Sequence, residues 1–488
     1  MYSRIAAIVA LFVLSVNIFR AATQSITIDE AYTYNLFLDG DWGHLFSRSY
    51  DACHHGLHTI LTKISISVFG LSEFTLRLPS LAGGLLYLAA ARRICLEAFG
   101  ARRRMLIVFC LLTFNPLILD FMSAARGYGL ALALFLWALY QVLRYTGGER
   151  TTSRVYSAAL CLSLAVGSNL TLAVPGISLA LFFFILLALE GRLAEAVDQF
   201  IVPGVVTCFV IVLLPLLKAS RDNFYLGTET VKEALESLLA LSFYHHTIGP
   251  PFVWFIPPHD VWFRLFISWI VPAVLICGIV GAALVIFSAR RVGGLNILEG
   301  GPRLLLIVGL VLGSSAGLLA TLNKWAHVPY PWARTGLYFI PLITLTALAL
   351  PEIPQIGSRL RRLTRLTVFA FALLCLGFYL VQFQTKLYGE WPGDAGNKQI
   401  VSLIRSLRPP AHPGHVRIGI SWELEPAMNF YRRLYRLDLI APFNREGPDG
   451  DFDYYVILPR EGSLVEKRKL RVLYRDPVSG VMLAVAGT

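Results

Sequence analysis

Charge is scarce in this chain: 15% of its 488 residues are Asp, Glu, Lys or Arg, against 56% hydrophobic, and the mean hydropathy is +0.62. That balance excludes a soluble globule of this size and indicates an integral membrane protein. Cysteine is little used as well. Of seven, Cys95, Cys110, Cys161, Cys208, Cys277 and Cys375 lie inside apolar segments and only Cys53 sits in a polar loop. There is no CxxC pair and no disulfide framework, so neither a stapled secreted fold nor a cysteine metal site can be read. Internal repeats and low-complexity tracts are also missing. The net charge of +12 comes from short basic clusters between apolar runs, without the aromatic interleaving of a nucleic-acid surface, so no nucleic-acid partner is expected.

What is present is a succession of apolar runs, each of roughly 17 to 22 residues, near the length that crosses the hydrocarbon as a helix. A chain in lipid must satisfy its own backbone, so an α-helical polytopic bundle follows. Spans are expected at 5–20, 78–96, 104–120, 128–145, 155–169, 172–190, 200–217, 264–288, 304–322, 335–350 and 366–384, about 11 transmembrane helices. Met1 to Phe19, with Arg4, reads either as a cleaved signal peptide or as a first span; a multi-span protein needs no removable signal, and a span is expected. With the N-terminus in the cytoplasm, Arg92, Arg93, Arg102–Arg104, Arg144, Arg150, Arg154, Arg290, Arg291, Arg303 and Arg359–Arg365 all fall in inner connections, as the positive-inside rule requires. The segment "HHGLHTILTKISISVFG" (54–70) is apolar but broken by His58 and Lys63. As a span it would put the 92–104 arginines outside, so it is expected to lie along the outer surface.

The domain plan is therefore a transmembrane unit, 1–384, with outer loops at 21–77 and 218–263, followed by a soluble extracytoplasmic α/β unit, 385–488. "GHVRIGISWELEPAMNFYRRLYRLDLIAP", "DFDYYVILP" and "LRVLYRDPVSGVMLAVAG" read as strand, helix, strand and terminal hairpin.

In this frame the adjacent carboxylates of "SITIDEAYTY", Asp29 and Glu30, lie on the outer face near the end of the first span. A half-shielded carboxylate there can serve as a general base. Equally, "TIDE" reads as a helix start, with Thr27 or Asp29 as cap and Glu30 favoured by the dipole. Arg77, Arg126, Lys324 and Arg334 fall at the outer edge of the bundle. Each alone reads as a lipid-headgroup contact; together with the carboxylates they suggest a pocket for an anionic headgroup. His54, His55 and His58 raise the question of a divalent metal, with "YHH" (244–246) and His259 as weaker candidates; histidines at a wet interface read equally as headgroup or acceptor contacts. "PPFVWFIPPHDVW" (250–262) reads as an interfacial aromatic belt.

The strings "IDEAYTYNLFLDGDW", "HHGLHTILTKISISVFGLSEFTLRLPSLAGG" and "NPLILDFMSAARGYGL" carry a resemblance. In order and content they resemble the GT-C membrane glycosyltransferases, in the branch of the protein O-mannosyltransferases and lipid A aminoarabinose transferases (glycosyltransferase family 39-like). The likeness covers roughly the first 150 residues; "AVGSNLTLAVPG" and "RTGLYFIPLI" match more loosely and the C-terminal unit not at all. The resemblance implies an inverting transfer from a polyprenyl-phosphate-linked sugar donor to a glycan, lipid or protein acceptor on the non-cytoplasmic face; without eukaryotic retention signals or long lumenal insertions, a bacterial inner membrane is expected. Asp29 would be the base and Glu30 would orient it or meet the acceptor. Arg77, Arg126, Arg334 and Lys324 would meet the phosphate, with His55 and Tyr128 as further substrate contacts. Relatives often carry a proline-rich stretch where this chain has His54-His55-Gly56-Leu57-His58, and their metal dependence varies. The rival readings are a transporter or flippase of lipid-linked sugars, for which ionisable residues at mid-membrane depth and repeat symmetry would be expected, and a non-catalytic membrane scaffold.

Overall fold

The computed structural model describes all residues except 49–50, 52, 214–215, 218–226, 244–258, 355, 407–415 and 487–488, and the side chains of 213, 259 and 260. Eight helices in it are long and apolar enough to cross a membrane: Tyr2–Thr23, Glu73–Phe99, Gly127–Thr146, Leu170–Leu189, Leu193–Val212, Val261–Val292, Gly300–Ala326 and Ser358–Val381. The other expected spans are shorter helices, Arg103–Phe114, Thr152–Ser168 and Phe339–Ala349. The run expected at 104–120 is broken at Asn115, whose side chain caps a new helix that starts on Pro116, where a missing N–H costs nothing. Leu11, Leu181, Val205, Ile276 and Leu373 are exposed on the bundle surface, as lipid-facing side chains should be. Close helix crossings need small residues: a Cβ on Gly83 would lie 2.8 Å from the Leu130 Cα, so Glu73–Phe99 and Gly127–Thr146 meet backbone to backbone there.

The 54–70 segment is the helix Gly56–Phe69, at 14 residues too short to cross alone. Its amphipathicity is inverted. His58, Thr59, Thr62, Lys63 and Ser65 are buried against the protein, while Ile64, Val68 and Phe69 face outward. Lys63 is held by the carbonyls of Leu38 (2.8 Å) and Gly40, which closes the first loop onto this helix.

At the opposite end of the bundle several arginines of the basic clusters are paired. Arg144 and Arg303 share Glu97 (2.7 and 3.1 Å), Arg150 meets Glu190 (3.0 Å) and Arg104 meets Glu352 (2.5 Å).

The C-terminal part forms a four-stranded sheet in the order β1-β2-β4-β3: β1 (Ile418–Ile420), β2 (Tyr454–Ile457), β3 (Leu470–Arg475) and β4 (Met482–Ala486). β1 and β2 are parallel across the helix Glu425–Leu434, and β3–β4 is the terminal hairpin, antiparallel to β2 through β4. This unit sits on the first loop: Tyr34, Leu38 and Ile26 share one core with Met428, Phe430 and Tyr431. The Tyr431 hydroxyl accepts from the Ile26 amide (2.9 Å). The sheet-bearing unit begins near the helix Asn397–Ser406, whereas residues 387–394, which the sequence assigned to it, lie against the bundle: Gly389 N donates to Asp120 (2.8 Å) and Tyr388 stacks under Arg20.

Candidate active site

Thr27 and Glu30 form a reciprocal capping box at the start of the short helix Ile28–Thr33, so the helix-start reading of "TIDE" holds for one of its two carboxylates. Glu30, 2% exposed, is also committed elsewhere. Its oxygens accept from Arg77 Nε (2.8 Å) and Nη2 (2.7 Å), from the Ala125 amide (2.6 Å) and from the Thr27 amide (2.9 Å). Burial pushes its pKa up, but Arg77 and the amides outweigh that and hold it below the usual carboxylate range.

Arg77 takes a different role from the one its position suggested. It is fully buried, and its remaining N–H groups donate to the carbonyls of Ala21 (3.1 Å), Gln24 (2.8 Å) and Ser25 (2.8 Å). All of its donors are used, so none is left for a phosphate. Arg77 and Glu30 are a structural pair that ties the end of the first helix to the first loop.

Asp29 points the other way. Its side chain is 14% exposed and pairs with Arg334 Nη2 (2.8 Å), while Arg334 Nη1 donates to Glu390 Oε1 (2.6 Å). Arg126 lies beneath, 1% exposed, and donates through Nη1 to Thr33 Oγ1 (2.8 Å) and the Asp29 carbonyl (3.3 Å). Burial raises the Asp29 pKa; Arg334, Arg126 and a hydrogen bond from the Trp391 side chain together hold it below its ordinary value. Burial moves Glu390 in the opposite direction, above its ordinary value despite Arg334. Two neighbouring carboxylates pushed apart in this way mark a site built for chemistry more often than a surface cluster.

His55 reaches the same place because Gly127 has no side chain: a Cβ there would lie 2.7 Å from the His55 Cβ and 2.0 Å from the Ser168 carbonyl. The His55 ring meets Tyr128 edge-on at 5.1 Å, Tyr128 meets Phe121 at 4.7 Å, and Phe121 meets Trp391 at 5.7 Å, giving the site an aromatic wall. Its Nδ1 faces Asn169 (3.3 Å). Burial and the nearby cations keep the ring neutral, with its pKa well below the usual histidine value.

Beyond the Asp29–Arg334 pair, four buried polar atoms of this group lack a hydrogen-bond partner: Glu390 Oε2, Arg126 Nε, Arg334 Nε and His55 Nε2. Unpaired arginine Nε atoms recur elsewhere in the molecule, so within this group Glu390 Oε2 and His55 Nε2 are the distinctive ones, each open to a further partner. Lys324 is not among them; it is exposed at the end of Gly300–Ala326. The residues that sequence reading missed are Glu390 and Trp391, whose "YGEWPGD" setting carries no local signature.

The metal question has a partial answer. Among the described residues no group of three or more His, Cys, Asp or Glu is placed to hold an ion. His58 Nε2 is taken by Ser80 (2.9 Å), and the His54 ring stacks on Phe37 (4.5 Å). His245, His246 and most of "PPFVWFIPPHDVW" lie outside the described residues, as does the His259 side chain.

The bundle also holds an apolar cavity of about 370 Å³, lined by Leu238, Phe243, Phe266, Ile340, Phe371 and Tyr379 among others. The helix Val231–Phe243 forms its edge and is tied to the Arg334 turn by Ser237 Oγ, which accepts from the Ala333 amide (2.8 Å).

No family model and no curated protein matches this sequence. Among solved structures the chain is similar to ArnT from Cupriavidus metallidurans bound to undecaprenyl phosphate, at 16% identity over 99% of this chain and 98% of that one, with a TM-score of 0.44. It is also similar to the Archaeoglobus fulgidus oligosaccharyltransferase in complex with Zn and sulfate, at 14% identity over 100% and 73% of the two chains, with a TM-score of 0.48. The Archaeoglobus fulgidus oligosaccharyltransferase AglB in complex with an inhibitory peptide and a dolichol-phosphate gives 14% identity over 98% and 74%, with a TM-score of 0.38. At these identities and TM-scores the likeness carries no argument about the site, whose chemistry rests on its own residues.

Proposed function

We propose that this protein is an inverting glycosyltransferase that moves a sugar from a polyprenyl-phosphate carrier to an acceptor hydroxyl on the extracytoplasmic face of a bacterial inner membrane. One observation carries the reading: an ionised carboxylate, two largely buried guanidiniums and a neutral imidazole converge with unsatisfied polar atoms, in a bundle that also holds an apolar cavity edged by the helix tied to the Arg334 turn. A headgroup that is anionic and a tail that is apolar meet both halves of that site. The paired arginine clusters at the far end of the bundle support the orientation, with the first loop and the sheet unit outside.

In this reaction the acceptor oxygen attacks the anomeric carbon, the bond from that carbon to the phosphate oxygen breaks, and polyprenyl phosphate departs with the electron pair. Asp29 takes the acceptor's proton and releases it to solvent. The leaving group is already a stable anion, so no acid has to protonate it. Arg334 and Arg126 stabilise its charge, which sets this chemistry apart from the paired-carboxylate logic of glycoside hydrolysis. Arg334 has a second part. While it pairs with Asp29 the base is weak; a donor phosphate that draws Arg334 away returns basicity to Asp29 as the reactants come together.

The test is sugar release from radiolabelled polyprenyl-phosphate donors by the protein in lipid nanodiscs, with membrane extract as acceptor. Turnover is expected. Its absence with every donor, from folded protein, would sink the reading in favour of transport or scaffolding. In the same assay Arg334→Gln and Arg334→Lys are both expected to lower kcat/KM for the donor by roughly 10- to 100-fold. Lys fails with Gln because a point charge cannot span the fork that Asp29 and Glu390 occupy. A Lys variant with full activity would remove Arg334 from the phosphate.

A further inference from the structure

One buried carboxylate near the site takes no part in that chemistry. Asp394, 6% exposed, accepts through Oδ2 from the Ile28 amide at 2.7 Å, and through Oδ1 from Asn397 Nδ2 at 2.8 Å. Ile28 N is the first amide of the helix that carries Asp29, and it precedes Asp29 by a single residue. The surrounding bonds make this a clamp. Ser25 Oγ donates to the Ala395 carbonyl (2.8 Å) and accepts from the Lys398 amide (3.1 Å), so residues 25–28 and 394–398 are laced together. The same short segment supplies Glu390 to Arg334 and the Trp391 side chain to Asp29.

We infer that Asp394 is the positioning residue for the base: it fixes the first turn of the Ile28–Thr33 helix, and with it the Asp29 carboxylate, against the segment that follows the last helix of the bundle. Asp394 touches neither donor nor acceptor. It works by denying the helix a fraction of an ångström, and misplacements of that size at a reacting group cost up to about two orders of magnitude in rate. Asn397, fully buried, sets the plane of the carboxylate so that one oxygen faces the amide. The role as stated for catalysis rests on the transferase reading; the mechanical role does not.

The charged groups around Asp394 are Asp29 and Glu30 on the helix it holds, Arg77 paired with Glu30, and Lys398 paired with Glu73 (3.0 Å). Burial, with a smaller push from Asp29 and Glu30, raises its pKa from 3.8 to about 7, against the opposing bonds from Ile28 and Asn397. The folded protein therefore holds this proton more tightly than the unfolded chain. The contribution to stability is complete below the unfolded value of 3.8 and is lost as pH rises through about 7. Asp394→Asn removes that slope, and at pH 8 it should unfold at a higher temperature than wild type.

The experiment compares full-length wild type, Asp394→Ala and Asp394→Asn in nanodiscs, by hydrogen exchange of the 26–34 amides and by donor kinetics. In Asp394→Ala, exchange over 28–33 is expected to rise about tenfold, with the 418–431 amides unchanged. In the same variant kcat should fall roughly 10- to 100-fold while the donor KM moves less than about twofold. Asp394→Asn, whose amide oxygen still accepts from Ile28, should restore both. Unchanged exchange in Asp394→Ala overturns the inference, as does a donor KM that rises in step with the loss of kcat. If wild type turns over no donor while the exchange result appears, the transferase reading fails and the clamp stands.

Discussion

Asp29→Asn is expected to lower turnover by roughly 10²- to 10⁴-fold, the span that a general base supplies, in a protein that folds and accumulates as wild type does. The physical reason for the second half is specific. The Asp29 side chain has no part in the capping box, which belongs to Thr27 and Glu30. Its own partners are Arg334, which keeps Glu390 when the charge on Asp29 is removed, and the Trp391 side chain, which an amide oxygen can still accept from. An isosteric amide therefore leaves the site standing and removes only the ability to take a proton. The measurement is release of labelled sugar, set beside a thermal unfolding curve for the same preparation. Turnover within about threefold of wild type would end the assignment of Asp29 as base.

The neighbouring residue should behave in the opposite manner. Glu30→Gln is expected to destabilise the protein by about 3–5 kcal/mol, because it leaves the Arg77 guanidinium buried without its counter-charge. Arg77→Met should cost a similar amount by stranding Glu30. The double variant should cost clearly less than the two single changes together, since an apolar replacement of both partners strands neither. Unfolding in detergent, or the amount of folded protein recovered, reads this directly. If Glu30→Gln lost only activity and kept its stability, the pair would belong to the chemistry after all. Because pairing depresses the Glu30 pKa in the folded state, its contribution is present at neutral pH and disappears only as the medium is acidified through that lowered value.

The difference between these two carboxylates also measures what a sequence can disclose. Hydropathy located the helices well, since the length of an apolar run and the cost of leaving backbone unpaired in lipid act locally. The strand, helix, strand, hairpin order of the C-terminal unit was legible because apolar alternation and Gly, Pro and Asp punctuation are also local signals. Pairing across long separations was not. Arg77 and Arg126 look alike on paper, each an arginine at the end of an apolar run; one spends every donor on Glu30, 47 residues away, and on the carbonyls of Ala21, Gln24 and Ser25, while the other keeps Nε unpaired in the site. Lys324 had the right charge and position, but its helix ends with the side chain in the open. Glu390 was invisible because its meaning depends on Arg334, and the 218–263 loop and the histidines at 244–246 fall largely outside the described residues.

The clamp between Ile28 and Asp394 joins residues 366 positions apart, and that separation has a consequence in time. A ribosome adding roughly 5–20 residues each second needs about 20 to 70 seconds to pass from one to the other. During that interval the first loop is already outside the growing chain's point of insertion, carrying Asp29 without Trp391, Glu390 or Asp394 to hold it. A chain stalled or truncated before its last helix would thus carry the acid but not the geometry. The geometry that the proposed chemistry needs arrives only once residues 390–398 have been made and have folded back on the first loop, so the site is assembled late in synthesis.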